Sequence, residues 1–333
     1  MSIPVIAFFN NKGGVGKTSM VYHLSWMFAD RGLRVIAADL DPQSNLTAAF
    51  LDEERLEQIM PPANDHPRTI YGAVQPLKRG TGDITDPHVE IVSERLGLIP
   101  GDMSLSMFED QLSAVWPECM DRDERAFRVM SAFYRIVQNA AKKHEADVVL
   151  VDLGPNLGAI NRAALIASDF VVIPLSPDLF SLQGLQNLGP ALRRWRDEWK
   201  ERLIRNPVAD LALPKGTIKP IGYMILRHSI RLDRPVQAFE RWIARMPSTY
   251  AESVLEQSPI PNVTIDMDPN CIARLKDYRS LMPLAQEARK PIFFLKPADG
   301  ALGAHTYAVT EAYNDFKKLA IKIATSAGLR VLS

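Results

Sequence analysis

The chain has 333 residues, 47% of them apolar and 23% charged, and equal numbers of basic and acidic side chains leave a formal net charge of zero. These are ordinary globular proportions: no apolar run approaches the roughly 20 residues that cross a bilayer, and any contact with nucleic acid needs a local basic patch rather than a global attraction. The two cysteines, Cys119 and Cys271, stand far apart without Cys or His at ligand spacing, which argues against both a disulfide framework and a zinc site.

Short apolar runs alternate with helical patterns from the first residues onward. Residues 1–10 read directly into a strand, without the basic stretch and apolar core of a secretory leader, and the expected location is the cytoplasm. Strands are predicted at 3–9, 34–38, 89–92, 96–99, 148–151, 170–173, 221–226 and 292–295, several of them continuously apolar as strands covered on both faces are. The implied fold class is α/β, a doubly wound and mostly parallel sheet with helices on both faces.

Residues 51–86 shift to charges, prolines and glycines and predict irregular, exposed structure. Before a second such stretch at 205–219, Leu192, Trp195, Trp199 and Leu203 share one helix face, leaving Arg193, Arg196, Lys200 and Arg202 mainly outward. Helix-like sequence follows to 261, then Pro- and Asp-rich turns to Asn270.

The segment Asn11, Lys12, Gly13, Gly14, Val15, Gly16, Lys17, Thr18, Ser19 lies between the first strand and an amphipathic helix, where a phosphate site belongs. Its glycines let successive backbone N–H groups converge on one centre. Lys17 supplies a point charge for the β- and γ-phosphates, and the Thr18 hydroxyl suits magnesium. The usual G-x-x-x-x-G-K-[ST] spacing is not met, because Asn11 stands where the first glycine belongs. Two acidic segments complete the set. Asp39 and Asp41 end the second strand, Asp41 followed by Pro42 also suiting a helix N-cap, and Asp152 ends the apolar run 148–151.

The second lysine of the loop, Lys12, makes it resemble the deviant Walker A loop of the ParA/MinD family of P-loop ATPases. The resemblance extends to Asp39, Leu40, Asp41, Pro42, Gln43, like the family's D-x-D-P-Q switch, and to Asp152 through Gly158, like its D-x-P-P-x-L-G switch with Gly154 in place of the first proline. A glycine there implies a more flexible switch. Weaker counterparts occur at 69–71, 98–101, 181–185 and 285–292, so nearly the whole chain is covered as one ATPase domain, 1–333, with divergent insertions around 51–86, 205–219 and 231–270.

The resemblance implies an ATP hydrolase, slow and partner-stimulated, working as a homodimer closed around two ATP molecules. Lys12 would reach the partner's nucleotide, Lys17 would hold phosphates, Asp41 would orient the attacking water, and Thr18, Asp39 and Asp152 would form the Mg2+ side of the site. Arg227, ending the seventh strand, is a candidate contact for the base.

The use expected is partition of DNA or positioning of cargo. The ATP dimer would bind DNA nonspecifically and associate with the nucleoid, and a cargo-linked, ParB-like protein would activate release. The region 227–290 holds ten basic and eight acidic residues, and Arg241, Arg245, Arg274, Lys276, Arg279, Arg289 and Lys290 are its candidate DNA contacts. Against these stand an ATPase regulating a secretion, polysaccharide or phage-defence complex without DNA, and a MinD-like membrane-associated protein. The latter needs an exposed amphipathic tail, whereas 316–324 reads as a helix packed on the sheet. A related amidating enzyme would need a Cys-His module, which is not evident. No N-terminal helix-turn-helix precedes the first strand, so operator recognition is not expected.

Overall fold

The computed structural model describes residues 2–61, 66–226, 236–276, 278 and 281–330. Its first half runs β1 (Val5–Phe8), α1 (Lys17–Asp30), β2 (Val35–Asp39), α2 (Asn45–Phe50), α3 (Glu53–Ile59), α4 (Ile70–Arg79), β3 (Glu90–Ser93), β4 (Leu96–Ile99), α5 (Glu109–Glu118), α6 (Glu124–Met130), α7 (Ala132–Lys143) and β5 (Val148–Asp152). There follow α8 (Ala159–Ile166), β6 (Phe170–Leu175), α9 (Leu179–Leu203), β7 (Lys219–Leu226), α10 (Val236–Ile243), α11 (Met246–Tyr250), β8 (Cys271–Leu275), α12 (Met282–Ala288) and α13 (Ala304–Ser326).

The strands form one sheet in the order β3-β4-β2-β5-β1-β6-β7-β8, parallel throughout except for β3 against β4. Continuous apolar runs became parallel strands because both faces are covered: Val5 and Ala7 of β1 enter one core, Ile6 and Phe8 the other. The chain places β5 between β1 and β2 after both have formed, so the order reverses beside β1. The carboxyl ends of β1, β2, β5 and β6 therefore open onto one crevice, the position where doubly wound sheets bind ligands.

Seven predicted strands are present and one is not. Ile292–Phe294 is a single 3-10 turn, because Ile292, Phe293 and Leu295 bury themselves between α1 and α13 and find no strand beside them. The eighth strand is β8, whose short mixed run Cys-Ile-Ala-Arg-Leu pairs with β7. Gly222 of β7, at φ 155°, permits that approach, since a Cβ there would lie 2.5 Å from the Asn270 carbonyl oxygen.

The stretch 51–86 departs from expectation by carrying two helices. Asp52 caps α3 by accepting from the Arg55 N–H, and Arg55 forks onto Glu90 of β3 at 2.7 and 2.8 Å. In α4 the Thr69 hydroxyl caps the first turn, and Ile70, Tyr71, Ala73, Val74 and Leu77 are buried despite Pro76. Helix α1, predicted amphipathic, is buried on nearly all sides because α2 and α13 cover its outer face. On α9 the Trp195 and Trp199 face is buried as read, but Arg202 is buried too. Its guanidinium lies 3.9 Å from the Trp116 ring centroid and donates to the Trp116 and Glu198 carbonyls, both at 2.9 Å. Arg193 likewise turns inward to Ser253 and Glu256.

The last helix packs as expected, Phe316, Leu319, Ala320, Ile323 and Ala324 of α13 entering the core with α1. Among the described residues no helix is long and apolar enough to cross a membrane.

Candidate functional site

The loop after β1 turns through Gly14 at φ 72° and Gly16 at φ 80°, left-handed positions at which a side chain would be strained. This delivers Lys17 as the first residue of α1, with the free N–H groups of the helix start around it. Lys17 is buried and its Nζ donates to the carbonyls of Asn10 at 3.1 Å and Lys12 at 3.3 Å, so the side chain folds back over the loop. Burial lowers its pKa from the ordinary lysine value, against the opposing pull of the Asp152 and Asp41 carboxylates.

Asp152 ends β5 directly opposite Asp39 of β2, and both carboxylates are fully buried. Thr18 Oγ1 donates to Asp152 Oδ2 at 2.6 Å, while Asp152 Oδ1 is buried with no hydrogen-bond partner. Burial, and then the charge of Asp39, push the Asp152 pKa well above the usual carboxylate range. Asp39 is raised to about 7, mainly by burial, with the Thr47 hydrogen bonds pulling the other way.

The orphaned oxygen of Asp152 beside the Thr18 hydroxyl fits a hard cation or one of its waters. Among the described residues no cluster of three or more His, Cys, Asp or Glu side chains could hold a metal. Asp39 is already committed: its Oδ2 accepts from the Thr47 N–H at 2.8 Å and hydroxyl at 2.7 Å, and its Oδ1 faces the Asp41 N–H at 3.3 Å. It organises the β2 turn. Gly101 makes room for it, since a Cβ there would lie 2.7 Å from Asp39 Cγ.

Asp41 does not cap a helix, because α2 begins only at Asn45. Its carboxylate accepts from the Gln43 N–H at 3.0 Å and its carbonyl from the Ser44 N–H at 2.9 Å, a tight turn that holds the acid at the crevice. Gly154 leaves Asp41 its space, an added Cβ lying 3.2 Å from Oδ1. The switch around Gly154 is tied down. Asn161 Nδ2 donates to the carbonyls of Gly154 at 2.9 Å and Asn156 at 2.7 Å, and Glu109 accepts from the Ala159 and Ile160 N–H groups at the start of α8.

Lys12 forms an ion pair with Asp178, the residue that caps α9. Sequence reasoning passed over Asp178, Asn10, Thr47, Asn161 and Glu109. Of these only Asp178 carried a local signal, an acid three residues before Ser181 at a helix start.

The described basic candidates each have partners of their own. Arg241 and Arg245 lie over Trp242; Arg274 pairs with Asp266, Lys276 with Glu311 and Lys290 with Asp299. Arg289 and Lys290 instead line a cleft of about 460 Å3 with Thr18, Ser19 and Asn45, beside the phosphate loop. Arg227 and Arg279 lie outside the described residues. A smaller cleft of about 140 Å3 opens at the ends of β7 and β8, walled by Gly16, Ser19, His23, Leu226, Leu275 and Tyr278.

Residues 3–204 match the model of a family described as AAA domain. Sporulation initiation inhibitor protein Soj of Bacillus subtilis is 30% identical over 185 residues, 55% of this chain and 62% of Soj. The chromosome partitioning protein ParA of Caulobacter vibrioides is 30% identical over 199 residues, 60% of this chain and 66% of ParA. The chain spans between about two fifths and two thirds of the length of the first relatives it matches. A Corynebacterium diphtheriae protein of known structure superposes with a TM-score of 0.72 at 24% identity, covering 97% of this chain and 98% of that one. A plasmid partition protein from Borrelia burgdorferi bound to AMPPNP does so at 0.56 and 17%, covering 96% and 99%; both likenesses concern the fold. With the family model covering more than half its length and the two-lysine loop set against Asp41 and Asp152, the chain belongs to the ParA/MinD family of P-loop ATPases.

Proposed function

We propose that this protein hydrolyses ATP as a nucleotide-switched homodimer, and that its ATP form binds DNA nonspecifically to partition DNA or position a cargo. The observation that carries the reading is the convergence of Lys12, Lys17, Asp41 and Asp152 on one crevice. Lys17 turns from the Asn10 and Lys12 carbonyls to the β- and γ-phosphates, while the N–H groups from Gly13 to Ser19 wrap the phosphate oxygens. Arg227 and the 140 Å3 cleft receive the base. Thr18 and Asp152, with Asp39 behind them, hold magnesium or its waters, and the ion when bound neutralises charge on the β- and γ-phosphates. Asp41 orients a water for in-line attack; the bond to the ADP oxygen breaks, and the water's proton leaves with the phosphate. Lys12 crosses to the partner's nucleotide and offsets the developing charge.

The chain acts as one ATPase unit, 1–333, in the cytoplasm, with 51–86, 205–219 and 231–270 as surfaces for the cargo-linked activator. Turnover is slow until that partner binds. DNA contacts come from the basic residues of 241–290, doubled in the dimer, and weaken steeply with salt. Fluorescence polarisation on nonspecific duplex, with ATP, with ADP, and with Asp41→Ala to hold the ATP state, tests this. Binding confined to ATP and lost with salt is the expected result. Dimerisation without DNA binding would replace it with an ATPase that switches a protein complex, a reading favoured by how many of the basic side chains already have acidic partners.

A further inference from the structure

We infer that the cleft walled by Trp26, Phe294, Arg289 and Lys296 is a second ligand site, built for a small aromatic phosphate such as a mononucleotide and separate from the crevice that the proposed function uses. Its volume is about 500 Å3, within the range of small-molecule sites, and none of the residues lining it belongs to the loop from Asn10 to Ser19.

The walls divide by chemistry. Trp26 of α1 and Phe294 of the 3-10 turn meet edge to face, their ring centroids 6.2 Å apart, and both are only partly buried. The charged residues along the cleft are Arg289, Lys290 and Lys296, all of them cations. One side therefore offers a planar ring a surface to stack on, and the other takes up an anion. Asp299 already holds Lys290, at 2.7 and 2.9 Å, so the anion falls to Arg289 and Lys296.

Arg289 occupies a position that suits another residue. It closes α12 in the left-handed region, at φ 49° and ψ 44°, where glycine is the usual occupant and a long side chain is strained. Glycine would serve the backbone better; arginine adds a guanidinium, and strained residues of this kind gather at ligand clamps. Among the described residues that guanidinium has one hydrogen-bond partner, the carbonyl of Leu51 at the end of α2. The contact orients the planar fork and leaves further N–H donors for a phosphate. Because α2 follows the turn that holds Asp41, an anion competing for the guanidinium loosens the far end of the helix behind that turn.

Pyridoxal phosphate is a suitable probe, with a planar ring, a phosphate, and an aldehyde that condenses with a neighbouring lysine amine and is fixed by borohydride. ATP and Mg2+ at saturation keep it from the phosphate loop. Labelling of Lys290 or Lys296, read by mass spectrometry against Lys200, is expected to fall at least about fivefold when pyridoxal replaces pyridoxal phosphate, and as far in Arg289→Gly. Excess uridine monophosphate should suppress it likewise. Arg289→Gly is expected to stay folded in thermal melting, since glycine suits φ 49°, so lost labelling there reports the guanidinium. Labelling indifferent to the phosphate or to Arg289 would overturn the site. Protection by duplex DNA but not by the mononucleotide would overturn the ligand class and make this face a DNA contact. Hydrogen exchange of the Ala48 to Leu51 amides should quicken at least about twofold with pyridoxal phosphate in the parent and not in Arg289→Gly. Unchanged exchange would overturn the link to α2. These readings concern residues outside the phosphate loop, so they stand or fall apart from ATP hydrolysis.

Discussion

Asp39 and Asp152 stand opposite each other at the ends of adjacent parallel strands, both fully buried, and only Asp152 keeps an oxygen without a partner. Two carboxylates so placed repel when both are ionised, and the nucleotide-free protein bears that cost.

The burial of Asp39 has a pH signature. Asp39 has its pKa raised from 3.8 to about 7 on folding, so the folded state holds the proton more tightly than the unfolded one. Stability from this source is complete below pH 3.8 and is lost as pH rises through about 7. Thermal unfolding of the nucleotide-free chain should show lower stability at pH 8 than at pH 5, by on the order of 2 to 4 kcal/mol from this group. Asp39→Asn keeps an acceptor for Thr47 and should narrow that gap. An unchanged gap would remove Asp39 as its cause.

Lys17 and Asp41 should separate binding from chemistry. Lys17→Ala is expected to abolish tight ATP binding, because the phosphates lose the lysine that starts α1 at the crevice. Asp41→Ala should leave affinity within about threefold and lower turnover by 10²-fold or more, the range for losing an essential acid-base or water-positioning group, trapping the ATP dimer. Calorimetric titration with ATP and a single-turnover assay measure the two, and equal loss of affinity in both variants would refute the assignment.

Gly189 offers a reversal of the usual rule. Glycine to alanine within a helix ordinarily stabilises by about 1 kcal/mol. Here α9 packs so closely on the turn at Ala251–Leu255 that a Cβ would lie 1.8 Å from the Ser253 carbonyl oxygen. Gly189→Ala should therefore destabilise by at least about 1 to 3 kcal/mol, read from the denaturant midpoint. A stabilised variant would show that α9 and the turn are not in this contact.

His23 ties the phosphate helix to the C-terminal segment. Its Nδ1–H donates to the Ser19 carbonyl at 2.7 Å, its Nε2 accepts from the Ile292 N–H at 3.3 Å, and its ring stacks on Phe316. Burial depresses its pKa to about 4, so the neutral form is the folded one. Stability is present above pH 6.5 and is lost as pH falls through about 4. His23→Leu should cost about 1 to 3 kcal/mol at pH 7 by leaving Ile292 N–H unpaired, yet flatten acid unfolding between pH 6.5 and 4. A variant as acid-sensitive as the parent would count against this account.

Much of the architecture was legible in the chain because it depends on short-range rules. Continuous apolar runs mark strands covered twice, and a glycine-rich loop between strand and helix marks a phosphate site whatever surrounds it. Lys17, Thr18 and Asp152 were thus candidates from order and spacing, and Lys12 and Asp41 became candidates through the family resemblance that the loop and the D-x-D-P-Q run carry. Other features depend on contacts between residues far apart in sequence. Ile292, Phe293 and Leu295 carry a strand's composition but meet α1 and α13, whereas Cys271–Leu275 is unremarkable until Gly222 lets it pair with β7. Pro76 did not prevent α4, because burying Ile70, Val74 and Leu77 outweighed one missing helix bond. The inward turn of Arg202 onto Trp116, the commitment of Asp39 to Thr47, and the hold of Asp178 on Lys12 all join segments through side-chain geometry that periodicity does not encode.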